Sequence, residues 1–170
     1  MRLLPEKWNL EMPDSCPVWS LDDLYTVSSM SDLKTKLDEK YGDEKVTFVT
    51  CTDGNHGRAV AFGAKLTGQK AIVYMPKGSA QARVDHITGH GGDCTVTDMN
   101  YDATVNYAFE MEKKHGWTLL QDTTGPNYTE IPTWIMQGYT ALIDEAMEQL
   151  GEKRPSHVIL QVGWIQILRF

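Results

Sequence analysis

The stretch that decides the fold is Val46-Thr47-Phe48-Val49-Thr50-Cys51-Thr52-Asp53-Gly54-Asn55-His56-Gly57-Arg58. Its first part, through Cys51, is largely apolar and β-branched, which is typical of a buried strand. The residues just after it, Ala59–Leu66, have the composition of a helix. A strand, a polar glycine loop and a helix in this order place a ligand at the carboxyl end of a parallel sheet. We expect Gly54 and Gly57 to let the backbone approach that ligand closely.

The composition describes a soluble globular protein. The chain has 170 residues, of which 41% are hydrophobic and 23% charged, enough for one domain with a core. A formal net charge of −7 argues against nucleic acid as a partner. No apolar run approaches the ~18 residues of a membrane span, and the N-terminus lacks the apolar core of a signal peptide. The three scattered cysteines favour reduced thiols and a cytoplasmic location.

Strand and helix patterns alternate from Val46 onward, which predicts an α/β fold. Further strands are predicted at Ala71–Met75, Asp93–Asp98, Trp117–Gln121 and His157–Val162. Helices are predicted from a Ser79 cap to His86, from Tyr101 to His115 ended by Gly116, and from Pro132 to Leu150 ended by Gly151. Strand–helix units of roughly 25 to 35 residues favour right-handed crossovers. We therefore expect a three-layer parallel sheet with flanking helices.

The two ends of the chain fit this pattern poorly. Residues 1–30 show no clear periodicity and are predicted to be irregular, and Ser31–Lys40 reads as a short polar helix. Residues 31–162 are predicted to form a partial α/β subdomain. Residues 163–170 follow a predicted strand without a helix and are expected to be an aberrant tail. This organisation favours a central piece of a longer protein.

Two aspartates follow predicted strands and are the leading candidates for chemistry. Asp53 follows the first strand and Asp122 the fourth, so both are expected to face one crevice. Two carboxylates in one crevice can serve as general acid and base. The alternatives are that Asp53 caps the following helix and that Asp122 is an ordinary loop residue. Asn55 and His56 are candidates to hold a ring or a phosphate, and the alternative for both is turn chemistry.

The remaining polar residues give weaker signals. His86, His90, His115 and His157 have no spacing that suits a metal, so no metal site is predicted, and these histidines are expected on the surface or in turns. Lys77 follows a strand and is a candidate for anion binding, although a solvated lysine is the alternative.

Several blocks of the chain resemble one enzyme family. The loop Thr52–Arg58 is similar to the asparagine loop of fold type II pyridoxal-phosphate enzymes, the tryptophan synthase β-like group, most of which have serine at the position of Asp53. The aspartate and the blocks Tyr74–Gln81, Thr97–Asp102 and Ile131–Tyr139 resemble the diaminopropionate ammonia-lyases. The resemblance extends from about Lys45 to about Val162.

The resemblance implies a small-molecule amino-acid substrate and a cofactor. Enzymes of this family use pyridoxal 5′-phosphate to eliminate ammonia from 2,3-diaminopropionate, and the aminoacrylate product hydrolyses to pyruvate and a second ammonia. The residue that matches Asp53 removes the α-proton of the D-enantiomer, and the one that matches Asp122 also lies in the active site. The match of Asn55 contacts the ring hydroxyl of the cofactor, with Gly54 and His56 beside it in the same loop. The chain would then be the smaller subdomain, and full-length members would form homodimers.

The chain also departs from the family pattern. The Schiff-base lysine of the family lies in an upstream Asn-Ala-Phe-Lys block that this sequence lacks, and Lys77 belongs to a different block. Where a glycine-rich phosphate loop is expected, Gly163 is followed by Trp164–Phe170. We therefore expect no turnover from this chain alone. The alternatives are a non-catalytic remnant or interaction module, and a fragment of a threonine or serine dehydratase, against which Asp53 counts.

Overall fold

The computed structural model describes residues 27–42, 44–125 and 127–159. Its elements in chain order are α1 (Met30–Tyr41), β1 (Thr47–Cys51), α2 (Asn55–Thr67), β2 (Lys70–Met75), α3 (Gln81–Gly89), β3 (Asp93–Val96), α4 (Tyr101–His115), β4 (Thr118–Leu119), α5 (Glu130–Gly138) and α6 (Thr140–Leu150). The strands form one parallel sheet in the order β3-β2-β1-β4.

Helices cover both faces of this sheet. Alternate residues of β2, including Val73 and Met75, are buried against α2 and α3, where Ile87 is also buried. On the other face, Val49 of β1 packs in one cluster with Ala108 of α4. The predicted three-layer α/β fold is therefore confirmed.

Helix α4 has the predicted bounds, Tyr101 to His115, and a capping residue holds each end. The Asn100 side chain accepts a hydrogen bond from Ala103 N, which satisfies a free N–H of the first turn. Gly116 at the other end has φ 67°, and its N–H donates to Glu112 O. This left-handed conformation suits glycine because glycine has no Cβ to clash with the backbone.

Two helices begin at other residues than predicted. Helix α2 begins at Asn55 rather than Ala59, because Arg58 N already donates to Gly54 O. Ser79 is not the cap of α3, since Ala80 occupies that position and its side chain makes no cap bond. The Ser79 hydroxyl donates instead to Pro76 O at 2.9 Å.

The predicted long helix from Pro132 to Leu150 is two helices. Tyr139 separates α5 from α6, and its N–H is shared between Ile135 O and Met136 O. Pro132 lies in the first turn of α5, where a missing N–H costs nothing, as predicted. Helix α6 buries none of its residues.

The later strands are shorter than predicted. Strand β3 ends at Val96, and the next residue, Thr97, bonds to Met75 O through both its N–H and its hydroxyl. Strand β4 is only Thr118–Leu119. The prediction of a strand at His157–Val162 is wrong for His157–Ile159, which pair with no described strand, and Ile159 is 95% exposed.

Some predictions fall beyond this part of the chain. The rest of the predicted strand, the irregular segment up to residue 26 and the tail 163–170 lie outside the described residues. The division of the chain into these segments stays a prediction.

Candidate active site

A cleft lies at the point of the sheet where the order of the strands reverses. Strands β2 and β3 extend the sheet to one side of β1, and β4 lies on the other side. Ligands of open α/β sheets bind at the carboxyl ends of strands at such a switch point. The cleft measures about 830 Å³, within the range of small-molecule sites. Its lining residues include Thr52, Asp53, Gly54, Asn55, His56, Arg58, Lys77, Ser79, Arg83, His86, Asn100, Tyr101, Asp122 and Tyr139.

Asp53 presents its carboxylate at the end of β1. Arg83 Nη1 lies 2.7 Å from Asp53 Oδ1, and the same nitrogen also donates to the Asp53 main-chain carbonyl. Ser79 Oγ donates to Oδ1 at 3.4 Å. The Asp53 side chain does not cap α2, whose N-cap, Gly54, has no side-chain bond. The capping alternative for Asp53 is therefore wrong.

Asp122 reaches the same cleft from the end of β4. Its Oδ1 accepts a hydrogen bond from Gln121 Nε2 at 3.2 Å, and Gln121 itself is fully buried. The structure thus brings Asp53 and Asp122 to one cleft, as the strand pattern predicts. Their catalytic roles stay predictions.

Of the first two residues of α2, Asn55 is open to a ligand and His56 is hydrogen-bonded within the fold. Asn55 is exposed at the start of α2 and lines the cleft. The His56 ring lies beside it, but its Nε2 donates to Leu120 O at 2.7 Å. This bond ties α2 to β4, so the ring of His56 supports the cleft wall. Gly54 has φ 157° and donates its N–H to Thr52 Oγ1.

Gly57 has a different function from the one predicted. It is buried, and a Cβ at this position would overlap the Thr52 side chain and lie 2.8 Å from Val73 Cγ1. The expected close approach is real, but it is an approach of α2 to the sheet rather than to a ligand. The reason is that position 57 faces inward on α2.

Two tyrosines complete the cleft wall. Burial raises the pKa of Tyr101, and the nearby Asp122 carboxylate raises it further. Burial, followed by Asp122, also raises the pKa of Tyr139. Both phenols therefore remain protonated at neutral pH and present hydroxyl groups near the carboxylates.

Sequence reasoning missed several residues of this cleft. Tyr101 follows the cap of α4 at the carboxyl end of β3, and that position was a usable signal. Arg83 gave no signal, because its partner Asp53 is distant in sequence. Gln121, which is buried beside Asp122, was missed as well, because its bonds to Cys51 and Thr50 are also distant in sequence. Lys77, a candidate for anion binding, and His86, expected on the surface or in a turn, are both exposed and line the cleft.

Neither a metal-binding cluster nor a membrane-spanning helix is found in the part of the chain that the structure describes. Within residues 27–42, 44–125 and 127–159, no group of histidine, cysteine and acidic side chains is arranged to hold a metal ion. No helix in the same ranges is long and apolar enough to cross a membrane.

This fold and cleft define an α/β domain of the doubly wound class, with a cleft at the switch point of its sheet. The sequence profile of a family described as pyridoxal-phosphate dependent enzymes matches residues 15–164. The chain belongs to this family.

Diaminopropionate ammonia-lyases are similar to the chain in sequence and in structure. The enzyme of Escherichia coli K12 is 58% identical over 122 residues, which cover 71% of this chain and 31% of the relative. That of Salmonella typhimurium is 54% identical over 131 residues, covering 75% and 32%. The crystal structure of the apo Escherichia coli enzyme superposes with a TM-score of 0.76 at 50% identity, covering 85% of this chain and 39% of that one. The chain thus spans about a third of the curated relatives it matches.

The donor set of the cleft suits the ring of pyridoxal phosphate. The exposed Asn55 amide can donate to a ring hydroxyl, and Gly54 leaves the adjoining loop without a side chain. The predicted phosphate-binding position, from Gly163 onward, lies outside the described residues.

Proposed function

We propose that the chain forms the substrate-facing cleft of a pyridoxal-phosphate dependent ammonia-lyase. The reaction would convert 2,3-diaminopropionate and water to pyruvate and two molecules of ammonia. The observation that carries this proposal is the meeting of Asp53 and Asp122 in one cleft at the switch point. Sequence similarity to ammonia-lyases supports it, as does the aspartate at position 53, where most enzymes of this fold type have serine.

The residues of the cleft suit a doubly aminated substrate. When bound, pyridoxal phosphate supplies an electron sink for the negative charge that develops at the α-carbon. The Asp53 carboxylate would accept the α-proton of the D-enantiomer. The C3–N bond then breaks and ammonia leaves. Water hydrolyses the released aminoacrylate to pyruvate and the second ammonia.

Charge complementarity gives Asp122 a role in the same reaction. Diaminopropionate carries two amino groups, and a carboxylate close to the 3-amino group favours its protonated form. Asp122 would bind this ammonium and orient it as the leaving group. Asn55 would hold the ring hydroxyl of the cofactor.

We further propose that the complete enzyme is a cytoplasmic homodimer that acts in amino-acid catabolism. The free thiols of Cys51 and Cys94 are consistent with a reducing compartment.

A non-catalytic interaction module is the second candidate. Helix α6 favours it, because Leu142, Ile143 and Met147 are exposed on this helix. Exposed apolar patches mark surfaces that pack against another body. Light scattering of the purified 170-residue chain distinguishes the two, since a well-folded monomer argues against a module that seeks a partner.

A chimaeric enzyme tests the catalytic proposal. Residues 45–159 of this chain would replace the matching segment of the Escherichia coli ammonia-lyase, and pyruvate would be measured with each enantiomer of diaminopropionate. We expect turnover of both, and much less with serine or threonine, because Asp53 distinguishes the cleft from that of a dehydratase. The Asp122→Asn chimaera is the matched control and should lose activity. A folded, cofactor-loaded chimaera that forms no pyruvate would refute the proposal.

A further inference from the structure

We infer that Gln121 is a positioning residue that holds the Asp122 carboxylate in the cleft. The consequence for turnover rests on the function proposed above. The hydrogen bond between Gln121 and Asp122 does not depend on that function.

The Gln121 side chain forms the next hydrogen bond to β1 after the main-chain ladder between β1 and β4 ends. The last paired residues are Val49 and Leu119, followed by a bond from Leu120 N to Val49 O at 2.9 Å. Beyond that point Cys51 N donates to Gln121 Oε1, at 3.0 Å, instead of to a main-chain carbonyl. A side-chain amide thus satisfies the strand end while the two strands separate. This separation opens the cleft between their carboxyl ends.

The oxygen and the nitrogen of the Gln121 side-chain amide bind different partners. Oε1 also accepts from Thr50 Oγ1 at 3.2 Å, on the interior side. Nε2 donates to Asp122 Oδ1 at 3.2 Å, on the cleft side. An amide can accept and donate at once, whereas an ionised glutamate at this position would only accept and would add a negative charge beside Asp122. The sequence therefore needs glutamine here for the carboxylate to be held.

The main chain of Gln121 is held as well. Its N–H donates to Tyr128 Oη at 2.7 Å, and that hydroxyl donates to Leu119 O at 3.1 Å. Since Gln121 is 0% exposed, its polar groups cannot exchange these partners for bulk water. Asp122 therefore extends from a residue fixed at both its main chain and its side chain. Small displacements matter at such a site, because a shift of about 1 Å in a catalytic group can cost about 100-fold in rate.

Nuclear magnetic resonance on the full chain tests the contact directly. Gln121→Met keeps the shape of the side chain and removes its hydrogen bonds. Thr50→Val is the matched control, because it removes a partner of the same amide but leaves the bond to Asp122. Three-bond couplings report the χ1 rotamer of Asp122. We expect one rotamer in the unsubstituted chain and in Thr50→Val, and averaging in Gln121→Met. A single unchanged rotamer in folded Gln121→Met would overturn the inference.

Kinetics of the chimaera separate positioning from stability. For Gln121→Met we expect kcat to fall about 10- to 100-fold while KM changes less than about threefold. Thr50→Val should lower stability but keep kcat within about twofold. Equal losses of kcat in both variants would show a purely structural role and overturn the inference. If Gln121→Met does not fold, Gln121→Glu keeps the acceptor contacts and, at a pH where the new carboxyl is ionised, should show the same averaging of Asp122. If the unsubstituted chimaera makes no pyruvate, the proposed function fails, and the couplings still decide the role of Gln121.

Discussion

Arg83 binds Asp53 through two different oxygens, the carboxylate Oδ1 at 2.7 Å and the main-chain carbonyl. Asp53 follows β1, and Arg83 lies on α3, which follows the neighbouring strand β2. The pair therefore joins the loop after β1 to the helix after β2, at the same edge of the sheet. The side chains are 49% and 60% exposed for Arg83 and Asp53, and ion pairs at such positions add only about 0–1 kcal/mol to stability. The main effect of the pair is to orient the carboxylate.

Asp53→Asn should change the turnover of the two substrate enantiomers differently. Asparagine has nearly the same shape but cannot accept a proton at neutral pH. In the chimaera we expect the loss of turnover of D-diaminopropionate, with turnover of the L-enantiomer retained. Pyruvate formation from each enantiomer measures both. Equal loss of the two activities would contradict the role proposed for Asp53.

Arg83→Met should lower activity without lowering stability much. The variant keeps an apolar stem and loses the bonds to Asp53, so kcat/KM for the D-enantiomer should fall about tenfold. The melting temperature should change little, because the ion pair is exposed. Asp85→Asn on the same helix is the control, since Asp85 is exposed and outside the cleft. Loss in both variants would indicate a general effect on α3.

Gly57→Ala and Gly63→Ala should have opposite effects on stability. At Gly57 a Cβ would lie 2.8 Å from Val73 Cγ1, so alanine forces α2 away from the sheet and should cost about 1–3 kcal/mol. At Gly63 a Cβ meets nothing within 4 Å, so alanine should stabilise the helix by about 0.5–1 kcal/mol. Urea unfolding of the two variants measures the difference. A Gly57→Ala variant with an unchanged free energy of unfolding would show that α2 packs more loosely than the structure indicates.

Cys51 should make the fold sensitive to alkali. Burial, followed by the Asp122 and Asp53 carboxylates, raises the pKa of the Cys51 thiol from 9.0 to about 12. Below pH 9.0 the thiol is protonated in both the folded and the unfolded chain, so its contribution to stability is complete. Between pH 9.0 and about 12 the unfolded chain loses the proton first, so the free energy of unfolding falls as the pH rises.

Urea unfolding at about pH 8 and about pH 10.5 checks this dependence. The stability of the unsubstituted chain should fall more steeply between the two values than that of Cys51→Ala. The comparison is between slopes, because the smaller alanine side chain also costs stability at every pH. Parallel slopes would mean that the thiol titrates at its ordinary pH in the folded chain.

Local signals in the sequence predicted those parts of the fold that local physics controls. Helix α4 has the predicted bounds because Asn100 and Gly116 satisfy its ends with their own side chain and backbone. The break at Tyr139 and the early start of α2 could not be read in this way. Both depend on which carbonyl each N–H selects in the folded chain.

The cleft was predicted in outline and missed in detail. Asp53 and Asp122 follow strands, and parallel strands end at one edge of a sheet, so their meeting could be inferred without coordinates. Arg83 and Gln121 could not be found in this way. Arg83 bonds to Asp53 across 30 residues, and Gln121 bonds to Cys51 and Thr50 across 70 and 71 residues. No periodicity reports contacts over such distances.

The sequence by itself determined the class of fold, the strand that leads into the cleft and the two acidic residues at its edge. Hydrophobic periodicity and glycine placement suffice for these features, because they act between neighbours in the chain. Only the tertiary structure decided that α2 packs on the sheet through Gly57, that Arg83 orients Asp53, and that Gln121 replaces the strand ladder beneath Asp122. These features arise when elements distant in sequence are brought together, since burial then requires each polar group to find a partner in the fold.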